Sequence, residues 1–79
     1  MNKNEILSKL TKVFRDELDN EEIVLNTETT ADDVEEWDSL SHIQLIVAVE
    51  KAFGIRFTSS EIQGWNNVGE MADSIDSKL

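Results

Sequence analysis

Apolar residues recur at steps of three and four positions along most of this 79-residue chain, and no proline interrupts them. Side chains at this spacing share one face of an α-helix, so the pattern predicts helices and not strands. The first helix is expected to begin after a cap at Asn2 or Asn4 and to end at Asp19 or Asn20. Its apolar face comprises Ile6, Leu7, Leu10, Val13, Phe14 and Leu18.

The second helix is predicted to start at Asp38–Ser39 and to stop at Gly54, which suits a left-handed C-terminal cap. It carries two apolar stripes, one of Ile46, Val49 and Phe53, the other of Leu40, Ile43 and Val47. We expect the first stripe to pack in the core and the second to be partly exposed beside Ser39. An exposed apolar stripe near acidic residues suggests a protein-docking patch, although burial of both stripes fits the pattern as well.

Two capping signals define the rest of the chain. Thr58 with Glu61 predicts a short helix around residues 59–64, and Asn67 with Glu70 predicts the start of a last helix. The inward face of that last helix comprises Val68, Met71, Ala72, Ile75 and Leu79.

A long connection, residues 19–38, separates the first two helices. A loop of this length needs anchors in the core, and the apolar residues Ile23, Val24, Leu25 and Val34 are the candidates, with a short helical turn near residues 31–34. The expected fold is therefore all-α. It is a bundle of three main helices plus one short helix, with a long loop between the first two, in a single domain spanning residues 1–79.

The composition excludes several classes of function. The chain has no cysteine, so a disulfide framework, a thiolate metal site and a cysteine nucleophile are excluded, and any thiol must be added after synthesis. Its net charge is −10, and 11 acidic but no basic residues fall between Asp16 and Asp38. Nucleic acid and anionic membranes would repel such a chain, whereas basic protein surfaces would attract it. Since no apolar run resembles a signal or a membrane span, we expect a cytoplasmic protein.

Ser39 lies where the second helix is predicted to begin, and a helix N-terminus favours a negatively charged oxygen substituent. Glu35, Glu36 and Asp38 crowd the same place and would repel a freely diffusing phosphate. A phosphate held there should therefore be covalent, as an ester of the Ser39 hydroxyl. The alternative is that Ser39 or Asp38 serves only as the N-cap.

Residues 36–43, Glu-Trp-Asp-Ser-Leu-Ser-His-Ile, resemble the phosphopantetheine attachment motif of acyl carrier proteins, which is Asp-Ser-Leu followed by an apolar position three residues on. Residues 44–55 are similar to that family's second helix, with its closing phenylalanine at Phe53. The first helix, the long loop and the short third helix also follow the family's order. The resemblance covers essentially the whole chain and implies an acyl-carrier-like bundle.

The resemblance implies a carrier protein and not an enzyme. A phosphopantetheinyl transferase, with magnesium in its own site, would move a 4'-phosphopantetheine arm from coenzyme A onto Ser39, and Asp38 would assist by orienting that metal. The thiol of the arm would hold acyl groups as thioesters for an acyl-loading ligase or transferase and for synthase-type enzymes with basic docking surfaces. An aminoacyl, D-alanyl or peptidyl carrier is the alternative. A monomer is expected.

The same resemblance assigns partner docking to Leu40, Ile43, Val47 and Glu50, and the border of an acyl cavity to Ile62 and Trp65. Ser41, Gln44 and Lys51 stand where carriers of bulk fatty acid synthesis are usually acidic, which indicates a dedicated pathway. Trp37, before the Asp-Ser pair, resembles such dedicated carriers and also aminoacyl and D-alanyl carriers. Trp65 could instead be an aromatic residue that fills the core.

Three other interpretations fit parts of the sequence. Ser39 and His42 lie on adjacent turns, as a small serine hydrolase would need, but no Gly-x-Ser-x-Gly elbow or orienting acid is evident. An acidic cluster could attract calcium, but the EF-hand glycine is missing and no specific metal site is expected. That cluster comprises Asp32, Asp33, Glu35, Glu36 and Asp38. An interaction domain without a prosthetic group is the third interpretation.

Overall fold

The computed structural model describes residues 2–79, except for the side chain of Ser39. Four α-helices run in the order α1 (Lys3–Leu18), α2 (Ser39–Phe53), α3 (Ser59–Gly64) and α4 (Val68–Lys78), with one turn of 3-10 helix at Ala31–Asp33. The described residues contain no strand, and no helix among them has both the length and the apolar character needed to cross a membrane. The predicted bundle of three main helices, one short helix and a long first loop is confirmed.

Polar caps set the points at which the helices begin and end. At the start of each α-helix a side-chain oxygen accepts a backbone N–H. The capping residues are Asn2, Asp38, Thr58 and Asn67. α2 ends at Gly54 with a left-handed φ of 67°, and α1 ends at Asp19 with a φ of 52°. The capping box predicted for α4 is only half formed, because the Glu70 carboxylate accepts from the N–H of Asn66 and not from that of Asn67.

The three longer helices pack around one core, to which the long loop contributes four side chains. The core comprises Ile6, Leu10, Phe14, Ile23, Leu25, Val34, Trp37, Leu45, Val49, Phe53, Val68, Met71, Ala72 and Ile75. Leu45 belongs to neither predicted stripe of α2, yet it is completely buried. The inward positions predicted for Val24 and Leu79 are wrong, since their exposed fractions are 73% and 54%. Successive side chains of an extended segment point to opposite sides, so Val24 faces out between two buried neighbours, and Leu79 follows the last residue of α4.

The long loop is tied to the helices by backbone hydrogen bonds. The N–H groups of Val68 and Gly69, at the start of α4, donate to the carbonyl oxygens of Thr29 and Thr27 at 2.8 and 3.0 Å. From α1, Arg15 Nε donates to the carbonyl oxygen of Ile23 at 2.7 Å. The two bonds from α4 satisfy backbone N–H groups that a helix start leaves unpaired, and the three bonds together hold the long loop against α1 and α4.

Candidate functional site

Reciprocal hydrogen bonds hold the turn that leads into α2. Ser39 is the first residue of this helix, and its side chain lies outside the described part of the protein. Asp38 Oδ1 accepts from the N–H groups of Leu40 at 3.0 Å and Ser41 at 2.9 Å. In return Ser41 Oγ accepts from the Asp38 N–H at 2.8 Å and donates to the carbonyl oxygen of Glu36 at 2.8 Å. The backbone on both sides of Ser39 is therefore fixed.

Asp38, and not Ser39, is the N-cap of α2. Hydrogen bonds, above all the one from the Ser41 N–H, lower the pKa of Asp38 below its ordinary value, so the carboxylate is charged at neutral pH. Two of the amides that a phosphate could have used at this helix start are taken by Oδ1. The second oxygen, Oδ2, has no hydrogen-bond partner among the described residues.

The side chains of Trp37 and His42 contact each other beside this turn. The Trp37 ring is nearly buried and meets the Phe14 ring edge-on, with centroids 4.9 Å apart and an interplanar angle of 89°. Its Nε1–H donates to His42 Nδ1 at 3.0 Å, and the two rings lie within 25° of parallel. Because Nδ1 accepts, the proton of the neutral imidazole must be on Nε2. The sequence pattern relates His42 only to Ser39, as a hydrolase would need, and gives no sign of its contact with Trp37.

The pKa of His42 is lowered by burial. His42 is the only histidine of the chain, so its NMR titration is free of overlap, and we expect a midpoint below about 6.5, the value of an unfolded histidine. The folded protein then binds fewer protons than the unfolded chain just below that pH. The contribution of the neutral His42 to stability should be fully present above pH 6.5 and should be lost as the pH drops through the folded midpoint.

Thermal unfolding between pH 7 and 5.5 checks this expectation, with His42→Phe as the non-titrating control. The control should lose part of the pH dependence that the native protein shows. A native midpoint at or above 6.5 would contradict the expected effect of burial on His42.

A cleft of about 510 Å³ opens beside the start of α2. Its lining residues are Ala31, Trp37, Asp38, His42, Ile62, Trp65, Asn66, Asn67 and Met71. Both residues that the resemblance assigned to an acyl-cavity border, Ile62 and Trp65, lie on it. Trp65 is half-buried. It packs edge-on against Phe57 with centroids 4.8 Å apart, and its Nε1–H donates to Ser74 Oγ at 2.8 Å. The indole is thus held at the cleft wall, where it also covers part of the core.

The second apolar stripe of α2 faces solvent. Leu40, Ile43 and Val47 are 77%, 65% and 44% exposed, so the alternative that both stripes belong to the core is wrong. Glu50, the fourth predicted docking residue, is half-buried, and its Oε2 accepts from the Phe57 N–H at 2.8 Å. The structure therefore gives Glu50 a task that the sequence did not reveal, which is to hold the connection between α2 and α3.

Charge is unevenly distributed along this face of α2. The exposed acids Glu35, Glu36 and Asp38 lie at its N-terminal end. At the other end the exposed Lys51 and Arg56 line a groove together with Val47, and neither forms an ion pair with a described residue. The face is thus acidic beside Ser39, whereas near Gly54 it carries two exposed basic residues next to the half-buried Glu50.

The site has few features of a hydrolase or of a metal centre. A catalytic histidine needs an orienting acid on its second nitrogen, whereas His42 Nδ1 receives its hydrogen bond from an indole. Within the described residues, no three acidic or histidine side chains come close enough together to hold a metal ion.

Comparison with known proteins connects this geometry to a family. Residues 8–75 match the family model described as a phosphopantetheine attachment site. The acyl carrier protein of Thermosynechococcus vestitus is 32% identical over 80 residues, which cover 100% of this chain and 98% of that protein. The acyl carrier protein of Rubrobacter xylanophilus is 31% identical over 75 residues, which cover 95% and 93%.

A solved structure agrees with these relatives. The solution NMR structure of the holo acyl carrier protein from Geobacter metallireducens superposes with a TM-score of 0.88 at 47% sequence identity, over 94% of this chain and 85% of that chain. The family model spans most of the sequence, and the fold and the order of helices are the same. The resemblance seen at residues 36–55 is confirmed, and the chain belongs to the acyl carrier protein family.

Proposed function

We propose that this protein carries acyl groups as thioesters on a 4'-phosphopantetheine arm esterified to Ser39 and presents them to biosynthetic enzymes. It acts as a carrier and not as a catalyst, through a single cytoplasmic, monomeric domain of residues 1–79. The observation that supports the proposal most directly is the entry to α2, where capping by Asp38 and Ser41 fixes the backbone of Ser39 beside an exposed apolar face and an open cleft.

The residues around Ser39 suit a covalent arm. The carboxylates of Glu35, Glu36 and Asp38 would repel a free phosphate, while the dipole of α2 favours a phosphodiester attached at its first residue. When bound, the arm supplies the thiol that this cysteine-free chain lacks. Repulsion between the arm's phosphate and the neighbouring acids would keep the arm from lying fixed on the surface.

Asp38 fits a role in attaching the arm. Its carboxylate is fully exposed and charged, and only Oδ1 is used for capping. Oδ2 can therefore face a magnesium ion held in the site of a phosphopantetheinyl transferase, because magnesium prefers carboxylate oxygens. In this proposal one side chain both starts the helix and orients the metal of the partner.

Partner enzymes would dock on the exposed apolar face of α2. Leu40, Ile43 and Val47 supply the apolar contact, and the acids beside Ser39 favour basic surfaces around the partner's active-site entrance. Lys51 and Arg56 at the far end disfavour a uniformly basic partner surface. This distribution supports a dedicated acyl-loading ligase or transferase and a dedicated synthase over the enzymes of bulk fatty acid synthesis. An aminoacyl, D-alanyl or peptidyl carrier remains the second candidate because Trp37 precedes the Asp-Ser pair.

Intact mass spectrometry tests the proposal. After incubation of the native protein with coenzyme A, magnesium and a broad-specificity phosphopantetheinyl transferase, we expect the mass to increase by one arm and by no more than one. An unchanged mass across several transferases would contradict the proposal. Subsequent incubation with acyl-loading and aminoacyl-loading enzymes separates the two candidate functions by the cargo that is accepted.

Docking through the exposed stripe can be tested with Ile43→Ala. Truncation of an apolar side chain that anchors the centre of an interface weakens binding by about 1 kcal/mol or more, so we expect kcat/KM for arm transfer to fall about fivefold or more. Helix content should not change, because Ile43 is 65% exposed. Val24→Ala is the matched control, since Val24 is an exposed apolar residue of similar size, 73% exposed, away from α2. Equal rates for both variants would remove Ile43 from the docking surface.

A further inference from the structure

The cleft beside α2 combines an apolar wall with polar side chains whose hydrogen-bonding capacity is only partly used. Ile62, Trp65 and Met71 supply the apolar part of the lining. His42, Asn66 and Asn67 supply the polar part, and each keeps hydrogen-bonding capacity that no described residue uses. A surface of this kind differs from the uniformly apolar lining that a plain alkyl chain would prefer.

The unused groups in the cleft include several hydrogen-bond donors, beside the acceptor oxygens Asn66 Oδ1 and Asp38 Oδ2. His42 Nδ1 is occupied by Trp37, which leaves Nε2–H as the available group of the imidazole. Asn67 uses Oδ1 to cap α4 through the Glu70 N–H, which leaves its NH₂ group. The side-chain amide of Asn66 has no partner among the described residues, since only its backbone N–H is bonded. Donors of this kind call for acceptor oxygens on a ligand.

Desolvation decides which acyl groups can lie there. A plain alkyl chain placed over these donors would remove their water and return no hydrogen bond, which is unfavourable. A neutral chain with a hydroxyl or oxo oxygen would replace that water and still cover the apolar wall. A carboxylate-ended group would meet the charged Asp38 in the lining of the cleft, so charge disfavours it.

We propose that this cleft is a cargo site that favours neutral acyl groups bearing hydroxyl or oxo oxygens over plain alkyl groups of the same length, with His42 and Asn66 as its specificity-determining donors. This inference rests on the proposed function, because the arm on Ser39 must deliver the acyl group to the cleft. The pair formed by Trp37 and His42 contributes by fixing which imidazole nitrogen carries the proton.

The test uses the full chain loaded with defined cargo. A broad-specificity phosphopantetheinyl transferase transfers octanoyl- or 3-hydroxyoctanoyl-phosphopantetheine from the corresponding coenzyme A thioester, and intact mass confirms loading. Cleavage of each thioester by hydroxylamine is then timed and divided by the rate for the same free coenzyme A thioester, which removes intrinsic differences in reactivity. On the basis of one net hydrogen bond, we expect the hydroxyacyl cargo to be protected about fivefold more than the octanoyl cargo.

NMR supplies a readout independent of reactivity. The hydroxyacyl cargo should shift the His42 Nε2–H and Asn66 side-chain resonances more than the octanoyl cargo does. Asn66→Leu should bring the protection ratio close to one while leaving the pair of Trp37 and His42 in place. Asn4→Leu, an exposed asparagine on α1, is the matched control and should keep the native ratio.

The outcomes separate this inference from the proposed function. Equal or stronger protection of the octanoyl cargo, or no cargo-dependent shift at His42 and Asn66, would overturn the cargo preference and leave the arm at Ser39 untouched. If none of the coenzyme A thioesters increases the mass of the protein, attachment itself is overturned, and the cargo inference with it.

Discussion

Alanine at position 39 is expected to abolish attachment of the phosphopantetheine arm completely. The transfer joins a hydroxyl oxygen to the phosphorus of the arm, breaks the pyrophosphate bond of coenzyme A and releases adenosine 3',5'-bisphosphate. Ser39→Ala removes that hydroxyl oxygen from the first residue of α2. The fold should persist, because Asp38 supplies the N-cap and alanine is the best helix former. Intact mass after incubation with coenzyme A and the transferase should show no increase, and circular dichroism should match the native protein.

Ser41→Ala is the control for the position of the arm, since Ser41 carries the other side-chain hydroxyl on α2. Its Oγ is committed to Glu36 and Asp38 within the capping arrangement. Loss of that arrangement should reduce stability by about 0.5–2 kcal/mol, yet Ser41→Ala should still take up one arm. Attachment to Ser39→Ala, or its loss in Ser41→Ala alone, would move the site from residue 39 to residue 41.

Among the three possible glycine-to-alanine substitutions, Gly69→Ala is expected to destabilise the protein most. A Cβ atom at Gly69 would lie 2.7 Å from the carbonyl oxygen of Thr27 and 3.0 Å from its Cβ, and the first of these neighbours is backbone that cannot rotate away. Relief requires the loop to move, which breaks the hydrogen bonds from Val68 and Gly69 to Thr29 and Thr27. The combined loss is about 2–4 kcal/mol, or about 8–32 °C in Tm for a domain of this size.

Gly64→Ala is the matched control for this experiment. No atom lies within 4 Å of a Cβ added at Gly64, and its backbone needs no left-handed conformation. Because alanine reduces the freedom of the unfolded chain, Gly64→Ala should leave Tm unchanged or raise it slightly. Thermal unfolding of the two variants measures the difference, and equal Tm values would show that the loop does not press on α4.

Local signals in the sequence were enough to predict most of this fold. The helix starts at Asp38, Thr58 and Asn67 and the stop at Gly54 depend on neighbouring residues, and all are found where they were expected. The exposed stripe of α2 was also predicted, because a helix with two apolar faces cannot bury both in a small bundle. The burial of single loop residues could not be predicted in the same way. Val24 is an example, because over three residues the alternation of an extended segment cannot be distinguished from helical spacing.

The contacts that shape the site depend on residues brought together by the tertiary fold. Trp37 precedes the cap of α2 and His42 follows it, so no helical period relates the two side chains. The bond from Phe57 to Glu50 depends on how the chain turns after Gly54. Asn67 could be predicted as a cap of α4, but its place on the cleft follows only from the packing of α4 beside the long loop.

The lining of the cleft also allows its occupancy to be followed by intrinsic tryptophan fluorescence. The chain has two tryptophans and no tyrosine, and both indoles, Trp37 and Trp65, lie on the cleft. All tryptophan emission of the protein therefore arises from residues that line this cleft. The spectrum follows the polarity of whatever occupies the cleft, and the Trp37 component also responds to the protonation of His42, so cargo and pH can both be followed without a label.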